Sequence, residues 1–303
     1  MPRFDVTLAG ELNLDLILYG LPDELPPETE LLADDMMLTL GGSSAIVAHN
    51  LAALGSRVGF ISRIGRDHFG DLALERLAAS GVDVSRMKHD DELKTGLTVI
   101  LQRAKWRNMV TYGGTITEVA YEDLDIDYIC DSRHFHLSSY FLQRKLQPRI
   151  VELFQRLKAA GVTISMDTND DPDGRWESGI LEALRHVDVF LPNEREARKI
   201  GGSDDLETAV SRLSHLVPLI VVKMGAEGAM ARRGSERLVS PASKIDIVDA
   251  VGAGDSFNSG FLSEYLKGTN LAECMAAGNR AGARSTTMAG GTEAFRKDLV
   301  KQS

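Results

Sequence analysis

From Ser132 onward, short apolar runs alternate with segments of helical periodicity. HFHLS, VTISMD, VDVFL and LIVVK read as strands, while Ile150–Ala160, a segment near Glu177–Arg185, Glu194–Ile200 and Leu206–Leu216 read as helices. A run such as LIVV is apolar at every position, the pattern of a strand buried on both faces. Strands of that kind run parallel, and each crossover needs a helix. The sequence therefore predicts an α/β fold, a mostly parallel central sheet covered by helices on both faces.

The first half keeps this rhythm with one interruption. Phe4, Val6 and Leu8 alternate up to Gly10, and Glu11-Leu-Asn13-Leu-Asp15 alternates again, which puts Asn13 and Asp15 on one face. A proline-rich turn leads to the strand Met36–Leu40 and to Gly41-Gly42. Ser43 and Ser44 are the predicted caps of a helix that carries Val47, Leu51 and Leu54 on one face and ends at Gly55. Val58–Ile61 then reads as a strand and Phe69–Ala79 as a helix. The interruption is residues 95–112, where TGLTVIL and NMVTY predict two strands joined by a polar turn around Lys105 to Asn108. With residues 12–40 they predict a small separate sheet. No repeat or linker divides the chain, so a single domain over residues 1–303 is expected.

Charge and cysteines narrow the function. A net charge of −10 argues against a nucleic-acid or anionic-membrane partner, and an anionic ligand must be held by local features. The N-terminus reads as an immediate strand and not as a signal peptide, and no apolar run reaches membrane length. Cys130 and Cys274 lie far apart, which fits reduced thiols and a cytoplasmic location.

In open α/β sheets ligands bind beyond the carboxyl ends of the strands. That rim gathers Asn13 and Asp15, Gly41-Gly42, Asp167 and Asn169, Asn193 and Glu196, Lys223 to Gly228, and Gly252 to Asp255. In DAVGAGDSFNSG, Gly252-Ala253-Gly254 precede a helical pattern, so unpaired amides and the helix dipole make an anion site. An acid placed there, Asp255, repels what the amides attract. It makes sense if it takes a proton from a hydroxyl while the amides stabilise a transferring phosphoryl group. The bland alternative is an N-cap at a glycine-rich turn. Capping is likewise the bland reading of Asn193 and Glu196, against water-mediated contact to Mg²⁺. Gly225 and Gly228 fit a tight turn or a close approach to a nucleotide. His134 and His136 share a strand face without a third metal ligand in sequence. Arg103, Lys105 and Arg107 would share a face of an extended hairpin arm, as a solvated tip or as a clamp for a substrate carboxylate or phosphate. Neither a Rossmann fingerprint nor a P-loop is present.

Five pieces in order, GELNLD, GGSSAIVAHNLAALG, IGRDHFG, LPNEREA and DAVGAGDSFNSGF, resemble the ribokinase-like (PfkB-type) carbohydrate kinase family across nearly the whole chain. The resemblance implies an ATP-dependent kinase acting on a sugar-like alcohol. Asp255 would be the catalytic base, and the amides of Gly252, Ala253, Gly254 and Asp255 the anion hole. Asn193 and Glu196 would organise Mg²⁺; Lys223, Gly225, Gly228 and Asn279 would border the nucleotide. Asn13, Asp15, Gly41 and Gly42 would hold sugar hydroxyls, with Asp167, Asn169 and Arg103 as further substrate contacts. Asp249 is the candidate ligand of a monovalent cation, K⁺. Segments 12–40 and 94–114 would form a lid that also makes a homodimer contact. The chain departs from the pattern at Ile46, where many sugar kinases carry Asn, and at Ala250 and Val251, where Thr is common. DTNDDPDGRW resembles the D-x-N segment of ketose and keto-deoxy sugar kinases but adds Asp170, Asp171 and Asp173. A nucleoside kinase of the same family and a non-catalytic sugar- or nucleotide-binding protein are the alternatives.

Overall fold

The computed structural model describes residues 2–103, 106–243 and 245–296. In chain order the elements are β1 (Val6–Ala9), β2 (Asn13–Leu21), β3 (Asp35–Gly41), α1 (Ser43–Ala53), β4 (Val58–Ile61), β5 (Arg63–Gly65), α2 (His68–Ala79), β6 (Lys88–Asp90), β7 (Leu97–Arg103) and β8 (Arg107–Tyr112). They continue with α3 (Ile126–Cys130), β9 (His134–Leu137), α4 (Ile150–Ala159), β10 (Thr163–Met166), α5 (Ile180–Leu184), β11 (Val189–Phe190) and α6 (Glu194–Gly201). The last are α7 (Leu206–Leu213), β12 (Leu219–Lys223), β13 (Ala229–Arg233), β14 (Glu236–Ser240), α8 (Ala253–Tyr265) and α9 (Leu271–Ser285).

An eight-stranded sheet has the order β14-β13-β12-β11-β10-β9-β1-β4. From β12 to β4 the pairs are parallel, and β13 and β14 add an antiparallel edge. The continuous apolar runs are explained by the two faces. Leu219 and Val221 pack with Val6, Leu8, Phe60 and Phe261 on one side. Ile220 and Val222 pack with Phe135, Ile164, Phe190 and Phe154 on the other. In β1 the alternation read from sequence does not mark a half-exposed strand, because all four residues are buried. Thr7 is accommodated by a hydrogen bond between its hydroxyl and Ser132 Oγ at 3.0 Å.

A second sheet has the order β3-β2-β7-β8 and joins strands from residues 12–40 to those of the interruption at 95–112. β2 pairs antiparallel with β3 and parallel with β7. The turn is tighter than the sequence suggested: β7 runs to Arg103 and β8 starts at Arg107, where Gln102 pairs with Arg107. Arg103 and Arg107 thus lie on opposite arms, which corrects the reading of one extended basic face. Lys105 lies outside the described residues.

Three local readings change for identifiable reasons. Neither Ser43 nor Ser44 caps α1; its N-cap is Gly42, at φ 85. The capping acceptor comes from another segment, as Glu11 takes hydrogen bonds from the Ser44 amide (3.2 Å) and hydroxyl (2.8 Å). α5 starts at Ile180 and not near Glu177, because Trp176 and Ser178 adopt φ of 57 and 64, outside any right-handed helix. α7 stops at Leu213, short of Leu216.

His134 and His136 are fully buried and share Ser165 Oγ, each at 2.7 Å. Burial pushes them down to about 3 and about 4, so both are neutral in the fold. In the unfolded chain each titrates near ~6.5. Their contribution to stability is therefore intact above pH ~6.5 and lost as the pH falls from there toward the folded values. Raised carboxylates titrate in the opposite sense, so the comparison must be with a variant. Between pH 7 and 5 the urea-unfolding advantage of the native chain over His134→Asn/His136→Asn is expected to shrink by about 1–2 kcal/mol per histidine. A constant advantage would contradict the neutral assignment.

Candidate active site

The glycines before α8 set the geometry. Gly252 is its N-cap at φ 70, and a Cβ there would come within 2.5 Å of Gly291 Cα. Both facts require glycine. The Ser256 amide returns to the Gly252 carbonyl at 2.9 Å and the Ala253 amide reaches the Ala250 carbonyl at 3.4 Å. Among the described residues the amides of Gly254 and Asp255 have no acceptor. They form the positive end of a helix of 13 residues. Asp255 is the third residue of that helix and not its N-cap, which removes the capping explanation. Its carboxyl is buried, and burial pushes it up to about 7. The charge of Asp167 adds to that rise, while Lys223 and a hydrogen bond with Ser43 oppose it.

Beneath the amides lies an ion pair. Lys223 Nζ is 2.6 Å from Asp167 Oδ2, with Asp167 fully buried. Asn258 Nδ2 donates to the same oxygen at 2.5 Å, and Lys223 Nζ reaches Asn258 Oδ1 at 3.4 Å. The Lys223 ammonium thus engages Asp167 and Asn258 below Gly254. Asp167 anchors this pair. Asn193 and Glu196 form a complete capping box on α6. The Asn193 amide donates to Glu196 Oε2 at 2.8 Å, and the Glu196 amide donates to Asn193 Oδ1 at 2.9 Å. The capping reading is therefore realised, and it brings a carboxylate to the rim. Burial first, and Asp167 next, push Glu196 up to about 7, while Lys223 opposes.

The opposite wall is built on bare backbone. A Cβ on Gly41 would fall 2.2 Å from Asp15 Oδ1, and one on Gly42 2.7 Å from Asn13 Oδ1. Only glycine lets those side chains lie across this strand end. Asn13 Nδ2 donates to Asp15 Oδ1 at 3.1 Å. Burial pushes Asp15 up to about 6 against that bond, and the charge of Asp249 adds to the rise. Asn169, at φ 50, donates to Ser43 Oγ at 2.5 Å and Ser139 Oγ at 2.8 Å. Ser139 donates to Glu11 at 2.6 Å, and Gln143 to the other Glu11 oxygen at 2.6 Å. A continuous polar path thus runs from Glu11 through Ser139, Asn169 and Ser43 to Asp255. Glu11, Ser139 and Asn258 escaped the sequence reading as site residues, and Ser43 was read only as a cap. The GELNLD match contained Glu11, but nothing local marked its partners.

Other candidates make the following contacts. Arg103 Nη1 donates to the Asp23 carbonyl at 2.6 Å and Nη2 to Asn108. It sits five residues along β7 from Thr98, the partner of Asp15, or about 16 Å. The structure does not bring it to the site. Asn279 spends its amide on Ser240 and on the Pro241 carbonyl. Gly228 packs on that same Ser240–Ala242 backbone, and Gly225 faces open space. The Asp249 carboxylate accepts from the amides of Val251 and Gly290, each at 3.0 Å, closing the loop before α8. A cavity of about 480 Å³ between α1, α2 and the turn at Glu293–Phe295 contains neither Asp255 nor the amides of Gly254. Among the described residues no group of three His, Cys, Asp or Glu could hold a metal, and the paired histidines hold Ser165 instead.

A family model described as pfkB family carbohydrate kinase matches residues 3–298. The chain is 30% identical over 298 residues to an ATP-dependent ribose-1-phosphate kinase of Halopiger xanaduensis, covering 97% of this chain and 96% of that one. It is 30% identical over 275 residues to a cytidine kinase of Thermococcus kodakarensis, covering 88% and 93%. A candidate ribokinase II of Escherichia coli, solved with ATP and Mg²⁺, superimposes with a TM-score of 0.86 at 22% identity, covering 99% of this chain and 100% of that one.

The ion pair makes a stability prediction with a definite pH sense. Lys223→Met leaves Asp167, Glu196 and Asp255 without the ammonium, which costs about 3–5 kcal/mol when one member of a buried pair is removed. The loss raises the folded pKa of Glu196 and Asp255 further. A group raised in the fold gives stability that is present at low pH and lost as the pH climbs through its folded value. The variant's deficit in urea unfolding is therefore expected to be larger at pH 8 than at pH 6. A deficit independent of pH would contradict the coupling.

Proposed function

The chain belongs to the pfkB family of carbohydrate kinases, and on that premise we propose that it transfers the terminal phosphoryl group of ATP to a hydroxyl of a sugar-like alcohol. The observation that carries the reading is Asp255, buried, shifted to about 7, and set in the first turn of α8 beside unpaired amides. At that value the carboxyl is divided between its two forms near neutral pH and can accept a hydroxyl proton. Its neighbour amides and the dipole of α8 stabilise negative charge developing on the group in transfer. Asn13 and Asp15, lying over Gly41 and Gly42, accept and donate to the other hydroxyls and orient the acceptor. Ser43, held by Asn169, positions the Asp255 carboxyl.

The donor set suits Mg²⁺, which keeps most of its waters and needs few carboxylates. Asn193 and Glu196 are the residues proposed to hold it, through water. When bound, the ion supplies charge neutralisation on the phosphates. A monovalent cation such as K⁺ at Asp249 would share that carboxylate with two amides. The second sheet is proposed as a lid over the acceptor, in one domain with the main sheet. One face of it carries Met36 and Val110, each about 60% exposed, which supports a homodimer contact there. Two free cysteines fit a reducing, cytoplasmic setting, and no described helix is long and apolar enough to cross a membrane. The cytidine kinase relative supports a nucleoside acceptor as the second reading.

Asp255→Asn keeps the amides and removes the base. In a coupled ADP-release assay with the acceptor that turns over, kcat is expected to fall by ~10²–10⁴-fold with little change in ATP affinity. Native kcat in this variant would overturn the assignment. For the native enzyme, kcat/KM reports groups of the free protein, so it is expected to decline on the acid side with a midpoint near 7 as Asp255 becomes protonated. A limb near pH 4 would contradict a buried base.

A further inference from the structure

We infer that the acceptor is an uncharged polyol, a free sugar or a nucleoside, and that the site rejects sugar acids and sugar phosphates. This rests on the kinase reading above and adds the charge of its substrate. The acceptor wall is acidic. Asp15 lies over Gly41, Glu11 lies against Gly42, and Asp255 hydrogen-bonds Ser43 on the next residue. Asp249 is close enough to Asp15 to act on it electrostatically, and Glu11 acts in the same way on Asp255.

Among the described residues, four basic side chains that could offset an acidic substrate have partners of their own. Lys223 is paired with Asp167. Arg76 donates to the Leu38 carbonyl at 2.5 Å, and Arg195 pairs with Asp170 at 3.0 Å. Arg103, one of the three basic residues the sequence offered as a clamp, is tied to the Asp23 carbonyl far along β7. Among the described residues, the polar groups named on the acceptor wall are carboxylates and neutral amides or hydroxyls, which match hydroxyl groups on both sides of the hydrogen bond. A negative charge held about 6 Å from one such carboxylate loses roughly a hundredfold in affinity at an effective dielectric near 20. Unpaired like charge of this kind is a common way for a site to exclude a competitor.

The test is ADP release at pH 8, where Asp15 and Asp255 are ionised, with four sets of acceptors. These are free pentoses and hexoses, nucleosides, sugar acids, and sugar phosphates, matched in carbon skeleton where possible. The expected result is a neutral acceptor whose kcat/KM exceeds that of its acidic and phosphorylated counterparts by about a hundredfold. The first two arms separate a free sugar from a nucleoside. In Asp15→Asn, one like charge is gone, and the ratio of acidic to neutral kcat/KM is expected to rise about tenfold or more. A sugar acid or sugar phosphate used as well as any neutral acceptor would overturn the inference while leaving the kinase reading intact. So would an unchanged ratio in a folded Asp15→Asn protein. Turnover in no arm would overturn the kinase reading and this one with it.

Discussion

The Lys223 ammonium sits where the carboxyl ends of β10 and β12 and the starts of α6 and α8 converge. It pairs with Asp167 at the end of β10 and reaches Asn258 on α8. It also acts on Glu196 at the start of α6 and on Asp255. Burying three carboxyls this close would be prohibitive without a cation among them. With one ammonium for three acids, the compensation is incomplete, and two of the acids are left with values near 7. The deficit is useful, since a carboxyl at an ordinary value would be a weak base for a hydroxyl proton. Parallel topology makes the cluster possible, because every crossover returns the next strand's carboxyl end to the same rim.

A second set of interactions fixes orientation in place of charge. Glu11 accepts from Ser44, Ser139 and Gln143, and so ties the start of α1 to the loop after β9. Ser139 and Asn169 both take left-handed backbone conformations, at φ 53 and 50. Conformations of that kind persist where the surroundings over-determine them. Here the surroundings are the hydrogen bonds of Asn169 to Ser43 and Ser139, one link removed from Asp255. The two glycines at 41 and 42 and the glycine at 252 supply the complementary device, backbone with no side chain in the way.

The layered fold was legible because its signal is local. Apolar runs, helical periods and glycine stops can each be read within ten residues, and the parallel sheet follows from their alternation. The glycine turn before α8 was legible for the same reason. What could not be read was pairing across distance. Nothing near Lys223 announces Asp167, and nothing near Glu11 announces Ser139. Ser43 and Ser44 looked like caps because the true capping carboxylate lies 33 positions earlier in the chain. Arg103, Lys105 and Arg107 looked like one face because alternation was carried through a chain reversal, where the period-two rule stops applying. Nothing near Asn279 announces the Ser240 and Pro241 carbonyls to which its amide donates.

The account stands on Asp255 having a carboxyl raised by burial and like charge. A direct test is carboxyl ¹³C NMR across pH 5 to 9 in the ligand-free protein, with Asp255→Asn used to assign the resonance. The account predicts a titration with a midpoint near 7. A midpoint near 4, the range of an ordinary aspartate, would contradict it.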